Sequence, residues 1–97
     1  MNGIERIAAE RKRQIEIEGW DTNHDQQHTY GELRIAAACY ATEGTDAWVS
    51  LGVYDPDDDG WPWHEKLDKR KKHSRIRQLE IAGALIAAEI DRILAEQ

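Results

Sequence analysis

The chain has no phenylalanine, one cysteine, one methionine and two prolines among 97 residues. Without Phe, the terminal segments must pack with Ile, Leu and Ala, because all four Trp and all three Tyr fall between residues 20 and 63. A single cysteine, Cys39, excludes an internal disulfide and suits a reducing compartment. Cys39 sits in the apolar run IAAACYA, where packing is expected rather than catalysis. No apolar run approaches the roughly 20 residues that a membrane span needs, so no membrane association is expected. The opening stretch MNGIERIAAERKRQ lacks the apolar centre of a signal peptide. A cytoplasmic location is the expectation. The length suits one domain, residues 1–97, with a single modest core.

What the chain does have is charge, 33% of its residues, unevenly spread. Residues 1–60 carry 13 acidic and 5 basic groups, and residues 61–97 carry 6 acidic and 8 basic. The net charge of −6 argues against dedicated nucleic-acid binding. The basic groups gather in Lys66, Lys69, Arg70, Lys71, Lys72, Arg75 and Arg77. Beside a helix start, such cations and the free backbone N–H groups favour an anion such as phosphate; a solvated helix start is the plainer reading.

The periodicity reads as an all-α fold of three helices. The first covers about residues 3–18, with Ile4, Ile7, Arg11 (through its stem), Ile15 and Glu18 at helical spacing. Gly19 is its expected stop. Thr29 and Glu32 match a capping box opening the second helix, whose face is Leu33, Ala36, Ala37, Tyr40 and Ala41; Gly44 ends it. The third starts between Lys69 and Ser74 and reaches about Ala95. Its apolar positions Ile76, Leu79, Gly83, Ile86, Ile90 and Ile93 alternate three and four apart, a heptad-like seam. Gly83 would admit a close helix, and the excess seam suggests a homo-oligomer built through the C-terminal helix. Residues 44–65 form a long aromatic and acidic connection, in which residues 47–54 read as strand, loop or helical turn.

Four constellations carry the chemically able groups. The loop around Trp20, His24, Asp25, His28 and Tyr30, leading to Glu32, is the densest. His24 and His28 would bind a metal at helical i,i+4 spacing, with Asp21, Asp25 or Glu18 as third ligand. A loop conformation would remove that geometry, and no metal or cofactor is expected. Asp55, Asp57, Asp59 and Gly60 open like a calcium loop, but the twelfth position is Lys66; a solvated acidic turn is the expectation. Trp61-Pro62-Trp63 forms a stiff aromatic corner able to stack on a nucleobase or to cover the core's end. The basic run supplies the fourth.

The ordered set EGW, HDxxH, GELxxAAACYA, WPW and AGALIxAEI, at residues 18–20, 24–28, 31–41, 61–63 and 82–90, resembles a family of small phage and prophage proteins. More distantly the pattern resembles the RyR domain, a small helical module with a helix ending in a GW pair, a His-bearing loop and a final helix after a basic segment. After Trp63 the chain departs from the phage pattern, with EKLDKRKKHS where further aromatics and a proline stand. The resemblance implies an RyR-like domain that binds a nucleotide-derived small molecule. In a phage protein that ligand would be a host immune signal, a cyclic nucleotide or cyclic ADP-ribose variant, held without cleavage. Trp20, Tyr30, Trp61 and Trp63 are the stacking candidates; His24, Asp25, His28 and Glu32 would meet hydroxyls and base edges; Lys71, Lys72, Arg75 and Arg77 would meet phosphate. Two alternatives stand beside this: an enzyme cleaving such a nucleotide with His24, Asp25 and His28, and a module whose helical seam inhibits a host protein.

Overall fold

A computed structural model describes residues 1–46 and 60–97. The described residues are helical, with no strand. Helix α1 spans Gly3–Glu16, the one-turn helix α2 Thr22–Asp25, α3 Glu32–Thr42 and α4 Arg75–Ala95. Two 3-10 turns, Glu65–Leu67 and Arg70–Lys72, lead into α4. The expected strand, loop or turn at residues 47–54, and the acidic turn carrying Asp55, Asp57 and Asp59, lie outside the described residues.

Local chemistry fixes the helix starts. Asn2 and Glu5 form a reciprocal capping box on α1, each side chain accepting from the other's backbone N–H at 2.9 Å. Asp21 caps α2 through His24 N, and Ser74 caps α4 through Arg77 N. The capping box expected at Thr29 and Glu32 does not form. The N-cap of α3 is Gly31, at φ 83°, a conformation that suits a residue without Cβ. The Glu32 carboxylate turns back to accept from Tyr30 N at 2.6 Å instead.

Helix α4 is the hub: α1, α2 and α3 all pack on it. The core joins Leu33, Ala36, Ala37 and Tyr40 of α3 to Ile81, Ala82, Leu85 and Ala88 of α4, with Trp61 and Trp63 laid against it. The core face of α4 is therefore the stripe beside the heptad seam. Ile76, Leu79, Ile86, Ile90 and Ile93 remain exposed. Gly83 does admit a close helix: a Cβ there would stand 2.6 Å from Ile7 Cδ1.

Helix α1 departs most from expectation. Its apolar stripe is only partly covered: Ile7 meets Gly83, but Ile4 is 81% and Ile15 38% exposed, while its buried residues are Glu10, Arg11 and Gln14. Burying such groups requires partners, and the partners come from elsewhere in the chain. Arg11 donates to Trp20 O at 2.8 Å and reaches Asp25 and Asp91; Glu10 accepts from Arg13 and Arg77.

Candidate functional site

Between α1, α2, the core of α3 and α4, and the Trp61–Trp63 corner lies a cavity of about 630 Å³. The turn after α1 sets one wall. Trp20 N donates back to Gln14 O at 2.9 Å, which presents the indole to the cavity. The HDQQH stretch is not an open loop: α2 covers its first residues, and His28 N closes a turn on Asp25 O at 2.9 Å. That turn brings the imidazoles of His24 and His28 to 5.3 Å between centroids.

The rings then run on as a chain. Trp20 stacks on His24 at 6.3 Å, and His28 meets Trp63 at 5.4 Å. Trp63 meets Trp61 edge-to-face at 5.6 Å, and Trp61 meets Tyr40 at 5.9 Å. All six rings line the cavity. The Arg70 guanidinium lies 4.9 Å over Trp61 and steadies its outer face.

Each imidazole has a carboxylate on Nδ1. His24 Nδ1 lies 3.0 Å from Asp25 Oδ1, and His28 Nδ1 lies 3.2 Å from Glu32 Oε2. A carboxylate acceptor draws the proton to Nδ1 and leaves Nε2 as an acceptor. Asp25 is buried, and Arg11 Nη2 holds its other oxygen at 3.4 Å.

Charge enters the cavity from α1 and from the segment before α4. Burial pushes the Glu10 carboxyl up, but hydrogen bonds from Arg13, Arg77 and Gln14 outweigh it and hold the group below its ordinary value. Arg13, gripped by Glu10 and Glu18, is raised above its own. Burial, reinforced by the negative Asp68, pushes the Tyr40 hydroxyl up, so it stays a neutral phenol. Lys69 also lines the cavity and makes no ion pair among the described residues.

Of the residues singled out from sequence, Trp20, His24, Asp25, His28, Trp61, Trp63 and Arg77 meet at this cavity. Tyr30 is 91% exposed and lies off it. Glu32 stands behind His28 rather than in the wall. Lys71, Lys72 and Arg75 are exposed and do not line it. Arg77 does, but it is already bonded to Glu10 and Glu80. Lys69 of the expected basic run also lines the cavity, whereas sequence reasoning missed Glu10, Arg13, Gln14, Tyr40 and His73 as lining groups. The one signal for the α1 set was polar residues sharing a helical face with Ile7, at the i,i+4 and i,i+7 positions Arg11 and Gln14.

Fold and site together define a small all-α domain enclosing an aromatic-walled cavity. No family model, curated protein or solved structure matches the chain. No helix among the described residues is long and apolar enough to cross a membrane. No cluster of three or more His, Cys, Asp or Glu among them is placed to hold a metal ion.

Proposed function

We propose that this protein is a binding module that sequesters a nucleotide-derived small molecule without cleaving it. The observation that carries the reading is the unbroken chain of six rings around one cavity. Its volume of about 630 Å³ lies within the range of small-molecule sites, roughly 300–1,000 Å³. Ring faces stack on bases, at about 1–3 kcal/mol per base. His24 and His28, oriented by Asp25 and Glu32, offer Nε2 acceptors for ribose hydroxyls, and Lys69, which makes no ion pair among the described residues, is the cation placed to meet phosphate. In the phage and RyR-like setting that the motif resemblance suggests, the ligand is a host immune signal of the cyclic nucleotide or cyclic ADP-ribose type.

Native mass spectrometry with cyclic dinucleotides and cyclic ADP-ribose isomers tests this. An intact ligand bound in fixed ratio supports it. Trp20→Ala and Trp63→Ala should each weaken that binding about tenfold or more, the loss of one stacking face; unchanged affinities would sink the assignment. The carboxylate-backed imidazoles favour one second reading, cleavage of the same ligand with His24 or His28 as base. A product mass in place of the intact ligand would select it.

The working unit is a homodimer through α4. Its exposed seam, with Ile4 and the α1–α4 groove lined by Ile7, Ala8, Ile15 and Ala87, forms an apolar face. A heptad seam can pair with its own copy about a twofold axis, and a second copy of the chain is the occupant proposed for this face. Light scattering should give twice the 11.2 kDa chain mass. Ile86→Glu with Ile90→Glu should halve it while leaving the helical circular dichroism intact. A monomeric wild type, or a seam found occupied by a host protein, would overturn the dimer.

A further inference from the structure

Gln14 is 1% exposed in the cavity wall. Its amide is held one way round. Nε2 donates to Glu10 Oε2 at 3.0 Å. Glu10 also accepts from Arg13 at 2.8 and 3.2 Å and from Arg77, a set of bonds that requires an ionised carboxylate. Such a carboxylate has no proton to give, so Gln14 must face it with its NH₂, and the carbonyl oxygen is left over. That Oε1 is buried and has no partner. Two further orphans belong to residues of the same wall, both donors without an acceptor: the Arg11 Nε–H and the Trp63 Nε1–H. Buried polar atoms are ordinarily satisfied; of the three, Gln14 Oε1 is the one acceptor, and Trp63 Nε1–H is the donor carried by a residue of the ring chain.

We propose that Gln14 Oε1 and the Trp63 indole N–H are the specificity groups of the cavity, and that they select an aminopurine, a ring carrying both an exocyclic N–H donor and ring-nitrogen acceptors. The proposal rests on the nucleotide reading above and narrows it to adenine-type ligands. Gln14 accepts from the amino group, and Trp63 donates to a ring nitrogen. Glu10, with Arg13 and Arg77 behind it, is a positioning residue that fixes which end of the amide faces the ligand.

The test is calorimetric titration of the full chain with AMP and with purine riboside 5′-monophosphate, the same nucleotide without its amino group. The wild type should bind AMP about tenfold more tightly, the factor that about 1.4 kcal/mol of lost hydrogen bonding gives. Gln14→Leu should remove that preference by weakening AMP alone. Gln14→Met, of matching length and without an acceptor, should do the same if the Leu variant fails to fold. Trp63→Phe keeps the ring and should weaken both probes. Equal wild-type affinities, or a Gln14 variant that weakens both probes by one factor, would overturn the proposal. So would failure of AMP to bind; if the cyclic messengers still bind, the aminopurine assignment alone falls, and if they do not, the nucleotide reading falls with it.

Discussion

Arg11 is buried, yet its contacts reach three other parts of the chain: the Trp20 carbonyl, Asp25 beside α2 and Asp91 on α4. Removing it would strand the Asp25 carboxylate, itself 1% exposed, without its cation. Arg11→Met should therefore lower the unfolding free energy by about 3–5 kcal/mol, the range of broken buried pairs. Adding Asp25→Asn should recover part of that loss in urea denaturation. A Met variant as stable as the wild type would contradict the account. The sequence pointed to Trp20, His24, Asp25 and His28 because able groups crowd one short stretch. It did not point to Glu10 and Gln14 because polar side chains belong outside by default. Their burial depends on a partner 67 residues away, Arg77, and no local pattern encodes a pairing of that range.

At the scale of elements, the three longer helices were legible, the one-turn α2 was read as loop, and helix orientation was not legible. The termini of α4 followed from Ser74 and the apolar period, and Gly83 correctly marked a close approach. The period in α1 and α4 fixes an apolar stripe but not what it meets. In α1 only Ile7 of the stripe meets α4 while Ile4 and Ile15 stay exposed, because the inner face is held by ion pairs, and in α4 the seam lies beside the stripe that α3 covers. Gly83 gives a sharp check on the α1–α4 contact. Alanine is favoured over glycine in a helix by about 1 kcal/mol, but a Cβ here meets Ile7 Cδ1 at 2.6 Å and Cγ1 at 2.8 Å. Gly83→Ala should destabilise the protein by about 1–2 kcal/mol, an overpacking cost that outweighs propensity. In an Ile7→Ala background the same change should become stabilising. Thermal melts of the four proteins decide it, and the same sign in both backgrounds would show that α1 does not pack there.

For the whole molecule, the charge imbalance along the sequence turns into cross-links in space. The acidic first part and the basic second part meet in Arg77–Glu10, and Arg70 reaches Glu43 at 3.7 Å as well as its neighbour Asp68. These pairs set how the fold responds to acid. Glu10 stands below its ordinary 4.5 because bonds from Arg13, Arg77 and Gln14 outweigh its burial. Asp68 stands below its ordinary 3.8 chiefly through its hydrogen bond from Arg70. A carboxyl depressed in the folded state is protonated first in the unfolded chain, so the unfolded state binds more protons as acid is added. The stability these groups supply is therefore complete above pH 4.5 for Glu10 and 3.8 for Asp68, and drains away as pH falls through the lower folded values. Urea midpoints should begin to drop below about pH 4.5. Glu10→Gln should be less stable than the wild type at neutral pH, because Arg77 and Arg13 lose their anion. It should also lose less on acidification, so the two curves converge as pH falls below 4.5. Parallel curves would mean that Glu10 carries no linked proton, and that the clamp joining α1 to α4, and with it the fixed orientation of Gln14, is absent in solution.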